Sequence, residues 1–96
     1  MSRTKEISSL PPITEKSFTQ QIISLARLRG WMLYRTWFSI HSPAGFPDLV
    51  LVHPSQHRVI FAEVKRDGSE PTPSQMVWLN TLRECSGVET YLWHPS

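Results

Sequence analysis

The chain is predicted to fold as an α/β domain of order α-β-β-β-α-β, with a mixed four-stranded sheet flanked by helices. Three observations predict it. Two short apolar runs, residues 49–53 and 59–64, stand on either side of Pro54-Ser55-Gln56-His57, which is the pattern of a β-hairpin. An amphipathic stripe at helical spacing precedes them. A capped helix and one more apolar strand follow, the pattern of a crossover connection, which is right-handed as a rule.

Residues 1–12 carry Ser, Lys, Arg and the pair Pro11-Pro12, and lack the apolar centre of a signal peptide. They read as a flexible tail ahead of a single domain, residues 13–96. Thr14 is placed as an N-cap, with Ile13 and Phe18 as the hydrophobic staple around it. Phe18, Ile22, Leu25 and Ala26 then form the apolar stripe of the first helix, and Gly30 ends it as the residue past the C-cap. Residues 31–37 are aromatic and apolar enough for a first strand. Pro43, Gly45 and Pro47 break up the loop at 38–47, and Pro47 suits the first position of a strand. After the hairpin and a polar loop at 66–71, Thr72-Pro73-Ser74-Gln75 matches a capping box with Pro at N1. The second helix is expected to run to about Cys85, with Met76, Leu79 and Leu82 inward and Cys85 as a small core residue. Gly87 stops it, and residues 89–93 form the last strand.

Composition sets the outer limits. Ninety-six residues with 40% hydrophobic side chains, four Trp and four Phe can bury a core, so the chain is not a disordered one. Ten basic and eight acidic residues give a net charge of +2, which is compatible with a nucleic-acid partner without requiring one. The single cysteine, Cys85, rules out an internal disulfide and suits a reducing cytosol. No apolar run reaches membrane-spanning length. His41, His53, His57 and His94 have no metal-ligand spacing and read as loop or strand-end residues.

The hairpin carries the chemistry. A two- or four-residue connection puts His53 opposite Arg58, and the register then runs outward to Asp48 opposite Glu63. Directly opposed residues have Cβ atoms about 4.5–5.5 Å apart, and like charges there repel. A bound cation is the natural compensation. Glu63 and Lys65 share a face with Val50, Val52, Val59 and Phe61, while Leu49, Leu51, Ile60, Ala62 and Val64 lie on the other. Both faces are apolar, so both are expected to be covered and the rim charges to be partly desolvated. A connection of odd length would place the two acids on opposite faces. Glu15 shares a helical face with Phe18, Ile22 and Ala26, so it could lean toward the sheet.

The residues Thr14-Glu15-Lys16, Ser42-Pro43-Ala44-Gly45-Phe46-Pro47-Asp48, Phe61-Ala62-Glu63-Val64-Lys65 and Thr72-Pro73-x-Gln75-x-x-Trp78-Leu79 form an ordered set. It resembles the PD-(D/E)XK nuclease superfamily, and within it the virus-type replication-repair nuclease (VRR-NUC) family in its small stand-alone phage or bacterial form. The resemblance covers nearly everything after residue 13. It implies a restriction-endonuclease-like core and a Mg²⁺- or Mn²⁺-dependent DNA endonuclease of the cytosol. It also implies a branched substrate such as a four-way junction; cutting two strands symmetrically would need two active sites, hence a homodimer. By that resemblance Asp48 and Glu63 ligate the metal, the Val64 carbonyl adds a ligand, and Glu15 matches the acid of the first helix. Lys65 orients or activates the attacking water, and Gln75 supports the site from the second helix. Lys16, Arg35, His41, Ser42 and Arg66 are the expected contacts to the DNA backbone.

Those residue types fit that chemistry. Carboxylates and a carbonyl suit a hard cation such as Mg²⁺ or Mn²⁺, which polarises a phosphoryl oxygen and acidifies a water. Lysine adds a compact charge for the phosphate. Each residue also has a plainer reading. Asp48 could simply turn the chain into the strand after Pro47. Glu63 and Lys65 could lie on a solvated edge. Glu15 could be a first-turn acid favoured by the helix dipole, Gln75 only the partner in the capping box, and Trp78 a core residue. A non-catalytic nucleic-acid-binding module and a protein-interaction domain are the competing classes.

Overall fold

Helix α1 (Glu15–Leu28) starts where the Thr14 side chain accepts the Ser17 amide at 3.0 Å. It ends where Gly30, at φ +87°, reverses the chain. The Gly30 amide donates to the Arg27 carbonyl at 3.1 Å and the Trp31 amide to the Ala26 carbonyl at 3.0 Å, the paired bonds of a Schellman cap. The structure, a computed structural model, describes residues 13–37 and 41–96. The tail expected at 1–12, and residues 38–40 of the loop before the hairpin, lie outside the described residues.

The buried side of α1 is Thr19, Ile23 and Ala26, with Phe18 and Ile22 partly buried. The expected stripe is therefore rotated, and Leu25 is exposed. A threonine is tolerated in the buried position because its Oγ1 donates to the Glu15 carbonyl at 2.8 Å, so no polar atom is stranded.

Strand β1 (Met32–Arg35) is shorter than the apolar run suggested. Strands β2 (Leu49–His53), β3 (Arg58–Val64) and β4 (Glu89–Trp93) complete a mixed sheet of order β1-β2-β3-β4. The first three are antiparallel, and β4 pairs with β3 in parallel after helix α2 (Pro73–Arg83) crosses over. The hairpin connection has four residues. Pro54–Gln56 makes a 3₁₀ turn, and His57 takes a left-handed conformation at φ 55° to rejoin the sheet. An even connection gives the predicted register, with Val52 opposite Val59 and Val50 opposite Phe61. At the far side of β3, Arg58 donates twice to the Glu89 carboxylate, at 2.7 Å each, and sits over the Trp31 ring.

The sheet's two faces are treated differently. Leu49, Leu51, Ile60, Ala62 and Val64 are buried beneath α1 and form the main core. The other face is covered near β3 and β4 by α2, whose Leu79 is fully buried, and by Phe46. The Phe46 ring meets Phe61 edge-on at 6.0 Å and Trp78 at 5.0 Å. Toward β1 this face stays open: Met32 and Tyr34 are exposed, and Val50, Val52 and Val59 are only half-buried. The expectation that both faces are fully covered holds for one. A single helix is about 10–12 Å across and strands lie about 4.8 Å apart, so α2 covers about two of the four strands.

Helix α2 opens with the predicted capping box. The Thr72 hydroxyl accepts the Gln75 amide at 3.3 Å and Gln75 Oε1 accepts the Thr72 amide at 2.8 Å. It ends at Arg83 with Glu84 as C-cap, close to the expected end, and Cys85 is exposed rather than in the core. Among the described residues no helix is long and apolar enough to cross a membrane. Leu49, at 0% exposure, sits at the centre of the core one residue from Asp48. Replacing it with alanine is expected to lower the unfolding free energy by about 2–5 kcal/mol. Urea denaturation of wild type and Leu49→Ala reads this directly.

Candidate active site

The β2–β3 register pairs Leu49 with Ala62, so the next residues outward, Asp48 and Glu63, face each other. Three bonds pin Asp48 there. The Thr36 amide donates to the Asp48 carbonyl at 2.8 Å, the Thr36 hydroxyl donates to the Pro47 carbonyl at 2.6 Å, and the Val64 amide donates to Asp48 Oδ2 at 2.9 Å. The aspartate side chain thus accepts an amide at the point where the β2–β3 ladder stops. Asp48 is more than a turn residue, because its carboxylate is tied to the strand that carries Glu63.

Glu63 is 1% exposed, and neither carboxylate oxygen accepts a hydrogen bond. Lys65 Nζ lies 3.4 Å from Oε2 as an ion pair. A solvated edge is excluded for this residue. Burial, reinforced by the charge of Asp48 and only partly opposed by Lys65, pushes the Glu63 carboxyl up to about 7. Orphaned carboxylate oxygens inside a protein are costly, and a hard cation is the ligand that such a donor set fits. Among the described residues no group of three or more His, Cys, Asp or Glu gathers around a point. Any metal held here would take its remaining ligands from backbone, water or substrate.

Beside Asp48 lies a cleft of about 1030 Å³, walled by β1, the loop before β2 and the start of α2. Tyr34, Trp37, Ser42, Phe46, Gln75 and Trp78 are among its lining residues. Glu63 is not on its wall, so Asp48 stands between the open cleft and the buried acid. The loop is held close to α2 by Gly45. A Cβ at Gly45 would lie 2.5 Å from the Ser74 carbonyl carbon and 2.8 Å from the Gln75 nitrogen, and its φ is +96°. Only glycine allows both the conformation and the approach.

The structure brings Asp48, Glu63, Val64 and Lys65 together, and it places Ser42 and Gln75 on the cleft wall beside Asp48. Gln75 also forms the capping box, so its Oε1 accepts the Thr72 amide and its amide nitrogen is a donor for another partner. Trp78 is half-buried and serves both the packing of Phe46 and the cleft. Glu15 and Lys16 begin α1, half-buried and exposed respectively, and Glu15 does not cluster with the acid pair. Arg35 pairs with Leu49, which puts it on the α1 face of the sheet, opposite to Asp48. Arg66 is exposed directly after Lys65, and His41 is exposed in the loop. Sequence reasoning missed Tyr34, Thr36 and Trp37. Pairing β1 with β2 was the missing signal, since the observed register carries Thr36 to a position opposite Asp48.

An antiparallel hairpin extended by a parallel strand, with helices on the two faces and an Asp opposite a Glu-x-Lys at the sheet's end, defines a nuclease domain of the PD-(D/E)XK kind. The VRR-NUC domain model matches residues 5–94, nearly the whole chain, and the protein belongs to that nuclease family. A search of curated proteins gave no match.

The raised Glu63 carboxyl has a measurable consequence. The folded state holds this proton more tightly than the unfolded chain does, so the associated stability is full below about pH 4.5 and is lost as pH rises through about 7. Glu89, lowered to about 2 by Arg58, acts in the separate window below 4.5. Without divalent metal, the unfolding free energy of wild type should fall by roughly 3 kcal/mol between pH 4.5 and 8, at about 1.4 kcal/mol per unit. Glu63→Gln should remove that decline, as followed by chemical denaturation across the pH range.

Proposed function

We propose that the protein is a Mg²⁺- or Mn²⁺-dependent endodeoxyribonuclease acting on branched DNA, with a four-way junction as the favoured substrate. The observation that carries the reading is the buried Glu63 carboxylate facing Asp48, which accepts no hydrogen bond and has Lys65 as an ion pair at 3.4 Å. Asp48 and Glu63 would hold the metal with the Val64 carbonyl, and Glu15 would take part through water or a second ion. A cation held there would offset the two carboxylate charges and would supply polarisation of a phosphoryl oxygen and acidification of a water.

The remaining chemistry belongs to this chain's side chains. Lys65 is a compact cation at the end of β3 that stabilises charge on the phosphate and orients the water that attacks it. Burial keeps that charge effective, since the lysine side chain is only 13% exposed. Asp48, fixed by the Val64 amide, is positioned before substrate arrives, so little reorganisation is left for the reaction. Gln75 and Ser42 line the cleft as polar groups for DNA, and Lys16, His41 and Arg66 would contact the backbone around it, whereas Arg35 lies on the opposite face of the sheet. Symmetric cutting of a four-way junction calls for two such sites, hence a homodimer. The single domain of residues 13–96 would carry the whole active site, in a reducing cytosol.

The test is cleavage of labelled four-way junction, flap, duplex and single-stranded DNA with Mg²⁺, Mn²⁺ or EDTA. Wild type should cut in either metal and stop in EDTA, with the junction cut fastest. Glu63→Ala and Lys65→Ala should each lower the rate at least about 100-fold while the proteins stay folded. Binding without cleavage by folded wild type in metal would instead favour a non-catalytic nucleic-acid-binding module.

A further inference from the structure

We propose that the cleft beside Asp48 is a stacking site for one unpaired nucleobase, with Tyr34 and Trp37 as its platform. The inference rests on the nuclease reading for its occupant, a DNA strand whose phosphate lies at Asp48 and Lys65.

Two large aromatic side chains stand open to solvent on the cleft wall, Tyr34 at 64% exposure and Trp37 at 82%. Tyr34 pairs with Val50 and Thr36 bonds to Asp48, so Tyr34 shares the face of Asp48 and is its diagonal neighbour across β1 and β2. Diagonal neighbours are about 7–8 Å apart, close enough for a base to rest on Tyr34 while its own phosphate reaches the acid. Trp37 follows β1 by two residues and extends the same wall. The volume of about 1030 Å³ accommodates a nucleobase with room to spare.

The chemistry of the wall selects the base over the backbone. Among the described residues the cleft lining contains no lysine or arginine, and Asp48 is the one charged residue on it. A phosphate track would need cations, whereas an aromatic platform is how single strands are held independently of sequence. Gln75 and Ser42, which line the same wall, are polar residues able to meet a base edge. A base in a duplex has both faces stacked and cannot enter, so the occupant must be unpaired, as at a flap, a gap or an open junction. A second copy of the chain fits less well, because seated in this cleft it would cover Asp48.

The test uses the full chain in EDTA, with DNA carrying a single unpaired 2-aminopurine in a flap or bulge. Stacking should quench its fluorescence on binding. Tyr34→Ala and Trp37→Ala should abolish the quench and weaken binding of that DNA about tenfold or more, while Trp37→Phe restores both and affinity for fully paired duplex is unchanged. Both aromatics are exposed, so the variants should melt as wild type does. Unchanged fluorescence on binding, or alanine variants that bind the unpaired DNA as tightly as wild type, would overturn the proposal. So would a Trp37→Ala variant whose sedimentation without DNA shows loss of a dimer, since a second copy would then occupy the face. Metal-dependent cleavage without quenching removes the stacking site and leaves the nuclease reading. Quenching without cleavage in any metal removes the nuclease reading and leaves the stacking site.

Discussion

Two carboxylates face each other at the end of a buried hairpin, and the arrangement of the site follows from that opposition. The four-residue connection sets the register, and the register places Glu63 against Asp48. Asp48 is not free to turn away. Its carbonyl is held by β1, its Oδ2 by the Val64 amide, and the preceding Pro47 by the Thr36 hydroxyl. Glu63 is not free to reach water, because the core face beneath α1 and the layer of Phe46 and α2 close around β3. A fold built only for stability would gain from a neutral side chain in that position, since a buried carboxylate that accepts no hydrogen bond and faces a second acid is a net cost even with an ion pair to Lys65. Keeping the acid there is a cost that binding or catalysis can justify.

The second helix carries out two tasks with one set of residues. Its capping box fixes the first turn, and the same turn presents Gln75 to the cleft and receives the loop at Gly45. The loop in turn drives Phe46 between Phe61 and Trp78, which seals the sheet above Glu63. One helix is too narrow to cover four strands, so α2 seals only the β3–β4 half of that face. The other half is left with exposed aromatics next to Asp48. The covered half keeps the acid dry, and the uncovered half leaves the open cleft beside it.

Much of this was legible in the chain. The hairpin register could be read because the apolar runs and the Pro54–His57 spacing admit few alignments, and once it is set, the positions of Asp48, Glu63 and Lys65 follow. Gly30 and Thr72 marked helix ends through local backbone chemistry that tertiary context did not override. The sides of α1 were less legible, since Thr19 reads as polar until its hydroxyl is seen to bond within the helix. Leu25 was placed inward by spacing and Cys85 by its residue type, and both are exposed, Leu25 because the buried side of α1 is rotated and Cys85 because it lies beyond the end of α2. The cleft was not legible. It depends on Tyr34, Thr36 and Trp37 meeting Asp48 across a β1–β2 pairing of high sequence separation, and nothing in an aromatic run says which side of the sheet will stay open.

The central claim is that the Asp48–Glu63 pair takes up a divalent cation in exchange for a proton. Calorimetric titration of the metal-free protein with Mn²⁺ at pH 7, in two buffers of different ionisation enthalpy, measures both at once. The account predicts saturable binding accompanied by release of a fraction of a proton, with both lost in Asp48→Asn. No saturable heat, or binding with no proton release that persists in Asp48→Asn, would contradict it.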